Sequence, residues 1–254
     1  MERKAIIGGT GVYSMNADGY SMMVETEYGN VEVDILCYMG EEIVFLPRHG
    51  KGHSTPPHLI NYRANMKALE KLNVKYIYAT AAVGSCNEKF EPGDIVIIKD
   101  FIDFTRQRPL TFHEGGENPV IHVDMSDPYC GYLRTKFYEA AEKEGVNIKG
   151  EAVYVTTEGP RFETAAEIRM YKMLGADVVG MTSVPEVVLA KELSMCYASV
   201  GIITNWCTGM GSINHDIKNI VEENKEKVTK IFLKVFEEPL TQDYCKCKDS
   251  IIKL

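Results

Sequence analysis

EGPRFETAAEIRMYKMLGADVVGMTSVPEVVLA, residues 158–190, places a tight turn, a carboxylate and a hydroxyl-bearing loop between regular elements. Gly159-Pro160 breaks any regular element. A helix follows to about Leu174, with Glu163 in its first turn and Ala165, Ile168, Met170 and Leu174 directed at a core; Gly175 stops it. An acid in a first helical turn gains about 0.3 to 1 kcal/mol from the helix dipole. Glu163 therefore reads either as a cap on the surface or as a functional carboxylate. Val178-Val179 then forms a short buried strand that delivers Gly180-Met181-Thr182-Ser183 to a helix beginning near Pro185. Unpaired N–H groups at such a helix start, with two hydroxyls beside them, suit an anion. The competing reading is that Thr182 or Ser183 only caps the helix.

Upstream of this stretch, Lys4 to Ile7 reads as a short buried strand that turns out through Gly8-Gly9-Thr10-Gly11. Three alternating segments, near 20–28, 31–38 and 42–46, read as a β-meander. It ends in Pro47-Arg48-His49-Gly50-Lys51-Gly52-His53, a basic loop in an acidic chain. The planar fork of Arg48 suits bidentate contact with phosphate. Pro57 to Leu72 reads as an amphipathic helix with Leu59, Tyr62, Met66 and Leu69 on its apolar face. The strand Lys75 to Thr80 then brings the small residues Ala81 to Ser85 to its carboxyl end, where open α/β sheets place ligands. A long polar loop over 105–118 is of the kind that is functional or disordered.

Downstream, a helix from Val184 to Leu193 leads to a strand over 197–204, which hands Asn205 to a turn. The Asn205 amide can donate and accept at once; asparagine at a strand end is also a common turn former. His215 precedes an amphipathic helix over about 216–236.

With 254 residues, 45% hydrophobic and 25% charged, the composition is that of an ordinary soluble globular chain, and one α/β domain is expected, with a C-terminal tail over about 238–254. The net charge of −8 argues against a general nucleic-acid binder, so any phosphate must be held locally. The chain passes from MERKAIIGG into a strand without a signal-peptide core, and no apolar run is long enough for a membrane span, so a cytoplasmic protein is expected. Seven cysteines are scattered without zinc-ligand spacing, and Cys245 and Cys247 are expected as free thiols on the tail.

EGPRFETAAE followed by GADVVGMTSVPEVVLAKE resembles the signature of the purine nucleoside phosphorylase and methylthioadenosine phosphorylase family, and the likeness runs from Gly8-Gly9-Thr10-Gly11 to the helix after Asn214. That resemblance implies a single-domain nucleoside phosphorylase fold, a central mixed twisted β-sheet flanked by helices. It implies phosphate-dependent cleavage of a purine nucleoside to the free base and ribose 1-phosphate, in purine salvage, by a homotrimer or a dimer of trimers. Phosphate would be held by Thr10, Arg48, His49, the Ala82 amide and Thr182, with His53 nearby. The base would meet Phe162, Glu163 and Asn205, the ribose Met181, His215 and, from a neighbouring subunit, His122. Glu163 and Asn205 would carry the catalysis, without metal or organic cofactor. Both stand where the methylthioadenosine branch has other residues, which points to 6-oxopurines such as inosine and guanosine. 5′-Methylthioinosine or methylthioadenosine is the alternative substrate, and a non-catalytic nucleoside-binding protein a distant third reading.

Overall fold

The computed structural model describes residues 2–8, 19–116, 120–211 and 217–253. Eleven strands and five α-helices alternate along them: β1 (Arg3–Gly8), β2 (Gly19–Thr26), β3 (Gly29–Tyr38), β4 (Glu41–Pro47), α1 (Tyr62–Lys71), β5 (Val74–Ser85), β6 (Ile95–Phe104), β7 (Ile121–Val123), α2 (Gly131–Lys143), β8 (Gly150–Thr157), α3 (Ala165–Met173), β9 (Val178–Gly180), α4 (Ser183–Glu192), β10 (Cys196–Trp206), α5 (Ile217–Phe236) and β11 (Ile251–Lys253). Nine strands form one mixed sheet in the order β10-β6-β8-β9-β5-β1-β4-β3-β2, and β10 also pairs with β5. The sheet thereby closes on itself through β5 and β10, and β1 to β4 extend as a wing. This is the mixed α/β fold expected from the resemblance.

β5 is the branch point. One of its edges runs beside β10 from Tyr76 to Ser85, while the other pairs with β1 as far as Ala79 and with β9 only at Gly84 and Ser85. Between Ala79 and Gly84 that second edge has no strand neighbour among the described residues. The gap falls where the small side chains of Ala81, Ala82 and Gly84 leave space, and it is where the sheet changes partners that α/β folds accept ligands.

The two larger of three buried hydrophobic clusters flank the sheet. Along α5, Val228, Ile231, Phe232 and Val235 recur at helical spacing and are buried, and Phe232 stacks on Tyr78 of β5 with ring centroids 4.6 Å apart. On the other side, α1 buries Tyr62, Met66 and Leu69. This helix is shorter than the sequence predicts, because Asn61 caps it by accepting from the Ala64 amide and Pro57–Leu59 form a separate turn. Leu59 is consequently 65% exposed instead of buried.

β5 and β10 outrun the predicted strands, and Ala81 to Ser85 continue β5 instead of turning out of it. The tail is also ordered differently: β11 pairs antiparallel with β7, and Cys245 and Cys247 meet Cys130 and Cys196 with all four sulfurs within 4.8 Å of one another. Reading spacing along the chain missed this group because its members come from α2, β10 and the tail. No helix among the described residues is long and apolar enough to cross a membrane.

Candidate active site

The gap in the β5 edge opens on a cavity of about 200 Å³ lined by Arg48 and His49, by Ala81 to Gly84, by Phe162 and Glu163, by Gly180 to Thr182, and by Thr204 to Thr208. Of the residues singled out from the sequence, Arg48, His49, Ala82, Phe162, Glu163, Met181, Thr182 and Asn205 are brought together here. Thr10, His215 and the side chain of His53 lie outside the described residues. His122 is exposed on β7, opposite Ile252 of β11, and does not line this cavity.

Arg48 leaves β4 buried, and its fork does not point free into the cavity. Nε and Nη2 donate to the two carboxylate oxygens of Glu186, each at 2.7 Å, and Nη1 donates to the Thr80 carbonyl at 2.7 Å. Glu186 is 0% exposed and also accepts from the Tyr197 hydroxyl at 2.6 Å. Burial alone would lower the Arg48 pKa, but the charge and hydrogen bonds of Glu186 outweigh it and hold the guanidinium protonated. The bidentate contact expected with phosphate is thus made with Glu186. Three of the five guanidinium N–H groups are used in these bonds, which leaves two for a ligand. His49 is held through Nδ1 against the Thr55 carbonyl at 2.8 Å.

The Arg48–Thr80 bond also fixes the direction of the strand's peptide groups. Thr80 turns its carbonyl to the open edge, whereas Val83 and Ser85 turn theirs toward β10, to Thr204 and Cys207. Alternation along an extended strand then carries the Ala82 amide to the same open edge as Thr80.

At the helix start, Thr182 occupies the N-cap position of α4 without a side-chain cap bond, and the Ser183 hydroxyl is 2.5 Å from that of Tyr129. The capping alternative fails for both residues. The Thr182 amide instead donates to the Tyr154 hydroxyl at 3.2 Å. Met181 is placed by Gly159, which has φ +70 and lies so close that an added Cβ would be 2.6 Å from the Met181 sulfur.

Glu163 is not in the first turn of α3. The helix begins one residue after the N-cap Thr164, whose hydroxyl accepts from the Glu167 amide while the Glu167 side chain accepts from the Thr164 amide. Glu167 is the acid that serves the helix start. Glu163, released from that role, is 8% exposed and accepts from the Thr157 hydroxyl at 2.7 Å. The buried face of α3 is Ile168 and Tyr171; Met170 and Leu174, expected inside, are exposed. Asn205 sits where β10 shifts register against β5, its Oδ1 accepting from Thr204 at 2.8 Å and its Nδ2 donating to the Trp206 carbonyl at 2.9 Å. Each group keeps one further bonding position. Burial pushes the thiol of Cys207, also in the lining, up, and Cys86 and Glu163 add to the effect, which disfavours the thiolate.

Reading the sequence missed Glu186 and Arg108 as parts of this site. Arg108, in the long polar loop, donates to the carbonyls of Val184 at 2.7 Å and Glu158 at 2.9 Å, tying the turn at Gly159 to the start of α4. A buried arginine in a loop carries no periodic signal; Glu186 was visible only as the acid after Pro185.

The residues 3–237 match the model of the phosphorylase superfamily. The chain is 47% identical to the 6-oxopurine nucleoside phosphorylase of Pyrococcus furiosus, covering 99% of this chain and 98% of that one. It is 45% identical to the "Probable S-methyl-5'-thioinosine phosphorylase" of Methanopyrus kandleri, over 99% and 98% of the two chains. Among solved structures, the methylthioadenosine phosphorylase of Schistosoma mansoni in complex with tubercidin superposes with a TM-score of 0.88 at 32% identity, over 96% of this chain and 95% of that one. By fold, by the residues gathered at the β5 gap and by these matches over nearly its whole length, the chain belongs to the phosphorylase superfamily.

Proposed function

We propose that the protein cleaves 6-oxopurine nucleosides with inorganic phosphate, releasing the free purine and ribose 1-phosphate. The observation that carries this reading is the spacing of two unlike groups in one cavity. Arg48 meets β5 at Thr80, and Asn205 approaches it at Gly84, where an added Cβ would be 3.2 Å from the Asn205 Nδ2. Four residues of extended strand separate anion-binding and base-binding ends by roughly 13 Å. That is room for phosphate, ribose and purine in a row.

At the first end, phosphate is held by the remaining Arg48 N–H groups, His49, the Ala82 amide and Thr182, and is delivered to the ribosyl C1′. Phosphate itself is the nucleophile, and its charge stabilises the cationic sugar that develops as the glycosidic bond breaks. At the other end, Asn205 donates to N7 as electrons flow into the departing purine. Glu163 as a carboxylate only accepts, so it suits the N1–H of hypoxanthine or guanine; adenine N1 is an acceptor and would face it unpaired. Such a site rejects the wrong base by on the order of 10⁴. Phe162, 56% exposed at the mouth, covers the base, and Met181 lies along the ribose. This chemistry requires neither a metal nor an organic cofactor.

Two names among the relatives carry a 6-oxopurine, and they differ at the 5′ position of the sugar, hydroxyl or methylthio. His215 is the residue we assign to that choice, since an imidazole bonds a hydroxyl better than a thioether. We further infer a cytoplasmic homotrimer in which His122, exposed and away from its own chain's cavity, reaches the sugar of a neighbour. The test is a panel of inosine, guanosine, adenosine, methylthioadenosine and methylthioinosine, each with and without phosphate. Hypoxanthine release that requires phosphate is expected. Release without phosphate, or adenosine cleaved as fast as inosine, would overturn the reading. A His215→Val variant is expected to move preference from inosine toward methylthioinosine, and unchanged ratios would remove His215 from the sugar site.

A further inference from the structure

Away from the cavity, at the start of α2, four thiols converge. Cys130 is the N-cap of α2, Cys196 opens β10, and Cys245 and Cys247 come from the tail. All are free, three are buried, and the four sulfurs lie within 4.8 Å of one another, Cys196 and Cys245 at 3.4 Å. Four thiolates around zinc at about 2.3 Å define a tetrahedron with edges of about 3.8 Å. The observed spread of sulfur separations brackets that edge. We propose that Cys130, Cys196, Cys245 and Cys247 form a structural site for a thiophilic divalent cation, zinc foremost.

The surroundings fit a cluster that becomes anionic. Binding displaces four thiol protons, and a divalent ion with four thiolates carries net charge −2. Cys130 sits at the positive end of a 13-residue helix, which favours a thiolate there. The Gln242 side-chain amide, anchored on the Ser194 carbonyl at 2.8 Å, points its N–H at the Cys196 sulfur at 3.6 Å. Lys191, buried although charged, and Lys246 line the cleft that contains Cys245 and Cys247. With no fifth side-chain ligand in the group among the described residues, a four-sulfur site is closed and structural.

Its consequence is mechanical. Cys247 is followed by Ser250, whose hydroxyl donates to the Lys191 carbonyl at 3.0 Å, and then by β11, which pairs with β7 and with His122 in particular. A metal here would clamp the tail to the body and fix the strand that presents His122.

The experiment uses the full chain, purified without chelator. Elemental analysis is expected to find one zinc per chain, and intact mass under non-reducing denaturing conditions to match seven reduced thiols. Replacement with Co²⁺ should give the intense visible and thiolate charge-transfer bands of tetrahedral sulfur coordination, and titration with a mercurial should release the metal in step with thiol blocking. Cys245→Ser/Cys247→Ser should lose the metal and melt at lower temperature, while Cys37→Ser, at an exposed cysteine outside the group, should keep it. If the double variant does not fold, the mercurial titration of the unaltered chain still decides. A metal-free chain lighter by two or four hydrogens would mean disulfides, and a metal-free chain with all thiols reduced would mean neither; both overturn the proposal.

Discussion

Replacing Arg48 by Met separates the two roles that the structure gives this residue. In the single variant Glu186, at 0% exposure, loses both guanidinium donors and keeps the Tyr197 hydroxyl, and the Thr80 carbonyl loses the Arg48 bond. Breaking a buried pair by removing one partner costs about 3 to 5 kcal/mol, chiefly the uncompensated charge. The companion variant Arg48→Met/Glu186→Leu removes that charge as well. Exchanging a buried pair for apolar side chains is often neutral, so most of the stability should return, less about 1 kcal/mol for the hydroxyl of Tyr197 left without an acceptor. Activity should not return. A charge-assisted contact to phosphate is worth about 1.5 to 3 kcal/mol, equivalent to roughly 10- to 150-fold in kcat/KM for phosphate. Urea unfolding followed by phosphate-dependent hypoxanthine release measures both quantities on the same three proteins. A stable double variant with unchanged phosphate kinetics would reduce Arg48 to a structural residue, and a single variant destabilised by under 1 kcal/mol would refute the buried-pair argument.

Changing Glu163 to Ser together with Asn205 to Asp should depress inosine cleavage and raise adenosine cleavage, and a double variant with full inosine activity would show that these side chains do not read the base. Gly159→Ala puts a Cβ at φ +70 against the Met181 sulfur; with about 1 to 2 kcal/mol of backbone strain, nucleoside KM should rise while phosphate KM stays near wild type. Glu167, held down to about 2 by Arg161 and by the Thr164 amide, stabilises the start of α3 only while ionised. Because its folded pKa lies below the ordinary 4.5, that contribution is present above pH 4.5 and is lost as pH falls toward 2. Melting curves of wild type and Glu167→Gln should therefore differ at neutral pH and converge across that window; a constant gap would count against the capping box as its source.

How far the sequence could be read depended on the kind of interaction. Strand and helix identities followed from period and from breakers such as Gly175, because those are local. That Glu163 lies outside α3 was legible in Thr164 and Glu167, three residues apart, a helix-start signal that the predicted boundary passed over. The Arg48–Glu186 pair joins residues 138 apart and has no local trace. Arg48 was recognised as a charge, but its protein partner Glu186 was not. The cysteine group is the same case, with spacing along the chain carrying no information about three elements that meet only in the fold.

At the gap in β5, the donor assigned to phosphate at Ala82 belongs to the main chain. Side-chain substitution at that position alters bulk but not the amide, so drift can change shape around the anion without deleting this contact. Proline alone among the twenty residues lacks the N–H. On the proposed assignment, the sheet's change of partners thus makes one part of the site nearly immune to point mutation, and leaves selection to act on Glu163, Asn205 and the residues assigned to the sugar, where substrates can be exchanged while the phosphate is kept.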